Sequence, residues 1–235
     1  MKLNRTALFL AIVLAFALAA NAQTNLNFLA DGQIRAADIL PPPPAAAAEK
    51  IAAMETVHTV YHCASEADKN AAYAEKKFSV FNFTEVVGNY FVATNLPKTA
   101  AFFERVQKDA EAVTDAGKDF FQEPRPFTTD PSLANGKLEK SFGYPSGHST
   151  ESTTLALVLA EMLPEQREAI MTHADLMGWH RVQIARHYPA DIFAGRVLAR
   201  AIARELNKSE IFQKELAEVK VELAAAREAA KLVAK

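Results

Sequence analysis

The sequence has little cysteine, glycine or tryptophan: one Cys, eight Gly and one Trp among 235 residues. Collagen needs glycine at every third position, and a disulfide scaffold needs many cysteines, so both are excluded. Cys63 alone cannot form an intramolecular disulfide, so stability must come from a packed core, in which Cys63 is expected as a small buried apolar residue. Charge of one sign is also lacking. Twenty-six basic residues face 28 acidic ones, a formal net charge of −2, which gives no basic surface suited to nucleic acid. A hydrophobic content of 50% excludes low-complexity disorder, and the length suits one compact domain. Beyond the first 22 residues no run is long and apolar enough to span a hydrocarbon core of about 30 Å.

What is present begins with a leader-like segment. Lys2 and Arg5 precede an uncharged apolar run from Ala7 to Ala20, and Ala20-Asn21-Ala22 is a small-x-small cleavage pattern. Residues 1–22 are therefore expected to be a signal peptide, cleaved before Gln23, that delivers the product to a bacterial periplasm. Removing Lys2 and Arg5 leaves 24 basic and 28 acidic residues, a mature charge of −4. Residues 23–44 are expected to form an extended strap, because the run Pro41-Pro42-Pro43-Pro44 forbids helix.

Residues 45–235 read as one helical domain. Ile51, Met54, Val57 and Tyr61 recur at helical spacing between Ala45 and His62. Pro97 opens a helix in which Ala101, Phe102, Val106, Ala110 and Val113 share a face. Further helices follow Pro145-Ser146, Pro164 and Pro189, and residues 209–235 form an amphipathic C-terminal helix that could pack on a neighbouring subunit. Turn chemistry fills 127–143, with Asp130-Pro131 and Asn135-Gly136. Strand alternation is scarce, so the expected class is all-α, a compact helical bundle.

Three segments carry chemistry. His187 and Asp191 are four residues apart, so Asp191 can accept from one imidazole nitrogen and leave the other free; such a pair also suits an ordinary helix contact. Ser146-Gly147-His148 looks like a helix start, where a capping hydroxyl, close backbone approach and unpaired amides bind an oxyanion, although capping alone explains Ser146. Lys118 and Arg125 lie about two helical turns apart and can reach one point if their segment is helical, with Arg125-Pro126 ending that helix. Together with Arg181 they make three cations, costly to hold close unless an anion of about two charges sits among them.

The pattern Lys118 to Arg125-Pro126, Pro145-Ser146-Gly147-His148, and Arg181 to His187 to Asp191 resembles the signature of the type 2 phosphatidic acid phosphatase superfamily, which also contains the vanadium haloperoxidases. The export signal and the Leu-Pro-Pro-Pro-Pro strap look like the bacterial class A non-specific acid phosphatases. The resemblance covers residues 39–203. It implies a secreted, broad-specificity acid phosphatase acting on phosphate monoesters, nucleotides among them. His187 would be the nucleophile that forms a phosphohistidine, Asp191 its orienting partner, and His148 the general acid and then base. Lys118, Arg125, Ser146, Gly147 and Arg181 would bind the phosphoryl oxygens, with no metal or cofactor required. No nucleic-acid or membrane partner is implied after signal cleavage, and a homodimer or higher homo-oligomer is compatible with the family. One residue departs from the pattern: His180 stands where the family usually has Ser.

The other histidines weigh less. His58 and His62 have a zinc-pair spacing without the intervening Glu or a third ligand, and His173 reads as structural. Phe127, Tyr144 and Trp179 adjoin the motifs and are candidates for pocket walls or for core. Three alternatives remain on the same residues. One is a vanadium haloperoxidase, for which the chain is short. The second is a serine hydrolase of Ser146, His187 and Asp191, which lacks the Gly-x-Ser-x-Gly elbow. The third is a helical binding protein in which the motif has decayed.

Overall fold

The structure is a computed structural model that describes residues 26–233. The expected signal peptide lies outside the described residues. Among those described there is no strand, and the architecture is all-α. Seven longer helices make the bundle: α1 (Ala47–Cys63), α2 (Glu66–Ala74), α3 (Pro97–Phe121), α4 (Gly147–Met162), α5 (Arg167–Gln183), α6 (Pro189–Leu206) and α7 (Glu210–Val233). Proline opens α3 and α6, where its missing N–H costs nothing.

Helix α4 is the axis of the molecule. It is buried on nearly every side, by α5 and α6 and on a third side by α3. Its small residues allow that crowding, and so do the glycines that face it. A Cβ on Gly195 of α6 would lie 2.8 Å from the Ser146 carbonyl oxygen, and one on Gly178 of α5 would lie 3.4 Å from Ser149 Oγ. The two helices thus approach the first turn of α4 where its N-terminal amides lie.

The leading segment is packed more than a linker would be. Phe28, Leu29, Ile34 and Leu40 are buried, and one helical turn, Ala36–Ile39, interrupts it. Asp109, fully buried on α3, pins its start by accepting from the backbone N–H groups of Asn27, Phe28 and Leu29 and from Asn27 Nδ2. The prolines that follow are non-helical, as expected, and the Pro41 carbonyl accepts from Tyr144 Oη at 2.6 Å.

Helix α7 packs one face on its own chain. Phe212, Leu216, Val219 and Leu223 form its buried stripe, each contributing on the order of 2 kcal/mol. Glu222 caps the start of α3 through the Lys98 and Thr99 N–H groups, and Arg105 pairs with Glu215 at 2.6 Å. Two smaller expectations fail. Cys63 is exposed at the end of α1, and Ala101 faces solvent while Phe102 and Phe103 fill the core.

Candidate active site

The site forms where the start of α4, the end of α3, the last turn of α5 and the loop into α6 meet. His187 lies two residues before α6 and is 2% exposed. Its Nδ1 is 3.1 Å from Asp191 Oδ2, and its Nε2 is 3.1 Å from Arg125 Nη1. These two contacts fix the tautomer. A guanidinium can only donate, so Nε2 must be the unprotonated acceptor, and Nδ1 carries the proton donated to Asp191. Asp191 Oδ2 also accepts from the Tyr188 N–H at 2.9 Å, which holds the carboxylate in place. Burial pushes the Asp191 carboxyl well above its usual range, against the opposing Tyr188 N–H and Arg125 charge. Burial first, then the charges of Arg125, Lys118 and Arg181, pushes His187 well below the usual imidazole range. The ring is therefore neutral, with a lone pair on Nε2 facing the cations.

Arg125 is not on α3, contrary to the helical expectation. The helix ends at Phe121, Gln122 takes a left-handed φ of 52°, and the chain doubles back so that Arg125 caps the turn Pro126–Thr129. Carbonyls then hold its guanidinium: Nε donates to Ser141 O at 2.7 Å and Nη1 to Arg186 O at 3.1 Å. Gly143 lets the backbone pass between groups of the site, since a Cβ there would sit 3.3 Å from Asp191 Oδ2 and 3.4 Å from Arg125 Cγ.

Lys118 stays on α3 and pairs with Asp115 at 2.6 Å. Its Nζ would be 3.3 Å from a Cβ on Gly147, so the missing side chain there admits the ammonium to the mouth of α4. Ser146 is the N-cap of α4, its hydroxyl accepting from the Ser149 N–H, and its own N–H donates to the Asp191 carbonyl at 3.0 Å. His148 follows one residue into α4. Its Nε2 is buried and has no partner, and burial followed by the Arg181 charge pushes its pKa down to about 3. The cationic form expected of a general acid thus requires a bound anion to offset those charges.

Arg181 is held from a direction the sequence did not indicate. Its Nη2 donates to the Ala72 carbonyl and to Glu75 Oε2, and Glu75 Oε1 is 2.7 Å from Nδ1 of His180. The residue that departs from the family pattern is therefore tied to the same carboxylate as the motif arginine. Glu75 and Arg186 are the two site-supporting residues missed. Glu75 follows α2 in a stretch without motif signal, whereas Arg186, which pairs with Glu139 and donates to the Asn135 carbonyl, adjoins His187 directly.

The eight candidate residues come together: the charges of Lys118, Arg125, His148 and Arg181 all act on His187, and Ser146 and Gly147 begin the helix between them. The aromatic candidates do not wall this space. Phe127 lies under the Arg186 guanidinium, Tyr144 turns to the strap and the Phe121 ring, and Trp179 is partly exposed on α5. His58 engages Asp130 at 2.8 Å and His173 the Asn82 carbonyl. A serine triad is disfavoured, because the Ser146 hydroxyl caps its own helix by accepting from the Ser149 N–H rather than donating to His187.

Residues 109–210 match the family model of the PAP2 superfamily. The chain is similar to the non-specific acid phosphatase of Providencia stuartii, 30% identical over 148 residues that cover 60% of each chain. It is also similar to that of Salmonella typhi, 32% identical over 148 residues, 60% of this chain and 59% of the other. The match thus spans about three fifths of the length of these curated relatives. Among solved structures, a transmembrane PAP2-type phosphatidylglycerolphosphate phosphatase from Bacillus subtilis shares the fold, with a TM-score of 0.52 at 18% identity over 74% of this chain and 89% of that one. Here, by contrast, no helix among the described residues is long and apolar enough to cross a membrane. Helical architecture and matched sequence agree over residues 109–210, the stretch that matches the PAP2 superfamily model.

Proposed function

We propose that the protein is an exported acid phosphatase that hydrolyses phosphate monoesters of broad structure through a phosphohistidine at His187. The observation that supports this best is the unprotonated Nε2 of His187, set by Asp191 on one side and Arg125 on the other. In the first step Nε2 attacks phosphorus, a P–N bond forms, and the P–O bond to the leaving group breaks as His148 gives its proton to that oxygen. In the second, water loses a proton to His148 and attacks phosphorus, the P–N bond breaks, and phosphate leaves. Lys118, Arg125 and Arg181 neutralise the phosphoryl oxygens throughout, with the amides of the first turn of α4, Gly147 among them, as further donors. Fixed cations take the role that a metal ion fills elsewhere, so turnover is proposed to be metal-independent.

The test is hydrolysis of p-nitrophenyl phosphate by the mature chain, with EDTA, with vanadate, and in His187→Ala. Expected are activity in acidic solution that survives EDTA, inhibition by vanadate, and a phosphorylated His187 trapped by rapid acid-free quench and mass spectrometry. An unaltered rate in His187→Ala, or no hydrolysis by the native chain at any pH, would sink the proposal. Peroxide-dependent bromide oxidation by vanadate-loaded protein would instead favour the haloperoxidase reading.

A further inference from the structure

Beside the eight candidate residues lies a carboxyl that the proposed mechanism does not use. Glu151 stands one turn into α4, directly above Gly147. Its Oε1 would be 3.4 Å from a Cβ on Gly147, and Lys118 Nζ would be 3.3 Å from that same point. The gap left by the glycine is thus bordered by the ammonium on one side and this carboxyl on the other. Glu151 Oε2 accepts from Gln107 Nε2 at 2.9 Å, which fixes the side chain and leaves Oε1 towards the gap. No ion pair neutralises it, because Lys118 is engaged by Asp115.

We infer that Glu151 is a specificity-determining residue of this anion site: as a neutral acid it donates to a phosphoryl oxygen held beside Lys118, and as a carboxylate it competes with that oxygen for the ammonium. This deepens the phosphatase reading and rests on it for the identity of the anion. Burial, with the Glu111 and Asp115 carboxylates adding to it, raises the Glu151 carboxyl to about 7, against the Gln107 hydrogen bond and the Lys118 charge. Those groups all come from α3. On α5 and α6, which also pack on α4, the buried or half-buried groups His173, His180, Arg181 and Asp191 are turned to other partners: His173 to the Asn82 carbonyl, His180 and Arg181 to Glu75, and Asp191 to His187. Glu151 is therefore neutral in acidic solution and ionised in mildly alkaline solution. A neutral acid adds a donor where a phosphoryl oxygen needs one, and an ionised one repels it.

The experiment compares the full wild-type chain with Glu151→Gln, in which the amide oxygen keeps the Gln107 bond but the side chain cannot ionise. Binding of inorganic phosphate by calorimetry and KM for p-nitrophenyl phosphate are followed from pH 5 to 9. At one pH unit above its midpoint Glu151 is about tenfold more ionised than neutral, so wild-type phosphate affinity at pH 8 should be about tenfold weaker relative to pH 6 than that of the variant. The second ionisation of phosphate is common to both proteins and cancels. The effect should appear in KM and phosphate affinity, with kcat little altered. Parallel pH profiles in the two proteins, or no phosphate binding by the wild type, would overturn the inference. Phosphate binding with the expected difference but no hydrolysis would uphold it and defeat the phosphatase reading alone. A direct readout does not depend on the variant folding: the side-chain carboxyl of Glu151, followed by carbon-13 NMR in the wild type, should titrate at higher pH with phosphate present, and an unmoved midpoint would also overturn the inference.

Discussion

Gly195→Ala should damage the site without touching it. The added Cβ would lie 2.8 Å from the Ser146 carbonyl oxygen, 2.9 Å from Ser149 Cβ and 3.0 Å from the Thr150 nitrogen, none of which can swing aside. The closest of these falls about 0.6 Å short of an ordinary contact of ~3.4 Å, so α6 must move away from the first turn of α4 by a similar amount. Overpacking of this kind costs about 1–3 kcal/mol, and the better helix propensity of alanine returns about 1 kcal/mol, for a net loss of roughly 0–2 kcal/mol. The melting temperature should fall by only a few degrees. Activity should suffer more. Asp191 sits one turn before Gly195, its carbonyl accepts from the Ser146 N–H, and its carboxylate orients His187, so displacement of α6 separates the nucleophile from the mouth of α4. A misplacement of about 1 Å can cost ~100-fold, so kcat should fall at least tenfold here. Arg200→Gly is the control: on the same helix and exposed, it loses about 1 kcal/mol of propensity and should leave kcat unchanged. Full activity in Gly195→Ala, or equal loss in the control, would refute the claim that this glycine sets the register of the site.

Other perturbations separate support from chemistry. Glu75→Gln removes the charge that Arg181 and His180 share; it should destabilise the fold by about 3 kcal/mol in urea titrations and raise KM, and an unchanged KM would show that Arg181 needs no such anchor. Asp109→Ala strands the N–H groups of residues 27–29 and should speed amide exchange there while the pH profile of activity stays fixed; protection that persists would mean that apolar packing alone seats the segment. Stability should also peak in mildly acidic solution, between pH 4.5 and 6.5, where two opposing slopes offset. His148, pushed down to about 3 from 6.5, makes the unfolded chain bind the extra proton, so stability present above pH 6.5 is lost as the pH falls towards 3. Glu151, raised from 4.5 to about 7, makes the folded chain bind it, so stability present below pH 4.5 is lost as the pH rises through 7. Calorimetric melts from pH 4 to 9 should show both limbs, and Glu151→Gln should flatten only the alkaline one.

Much of this arrangement was legible in the residues, for reasons that can be named. Proline marks α3 and α6 because it fits only a first helical turn, and Ser146 marks α4 because its hydroxyl substitutes for the missing turn. The Asp191 to His187 contact was legible because four residues close one helical turn. Long-range contacts were not. Nothing local to Glu75 announces that it will lie under Arg181, more than 100 residues later, and nothing in the Lys118 to Arg125 spacing shows that Gln122 turns the chain back. The buried stripe of α7 was present as periodicity, but periodicity names a face and not its partner; the structure supplies α3.

The three site cations differ in how they are held, and the difference bears on what the pocket can accept. Arg125 rests on neutral acceptors, the Ser141 and Arg186 carbonyls, so no hydrogen-bonded carboxylate offsets its charge towards His187. Arg181 shares the Glu75 carboxylate with His180, and Lys118 leans on Asp115, whose side chain is half exposed. A charge met by carbonyl dipoles keeps its field, whereas one met by a carboxylate is largely cancelled until something displaces it. Lys118 has the partner most easily given up, since Asp115 is half exposed and water can replace the ammonium on its carboxylate. A phosphoryl group entering beside Gly147 can therefore draw Lys118 away from Asp115 at little cost, while Arg125 and Arg181 stay fixed by buried contacts. The pocket is rigid on the His187 side, where the nucleophile must be aligned, and adjustable on the side bordered by Lys118 and Glu151.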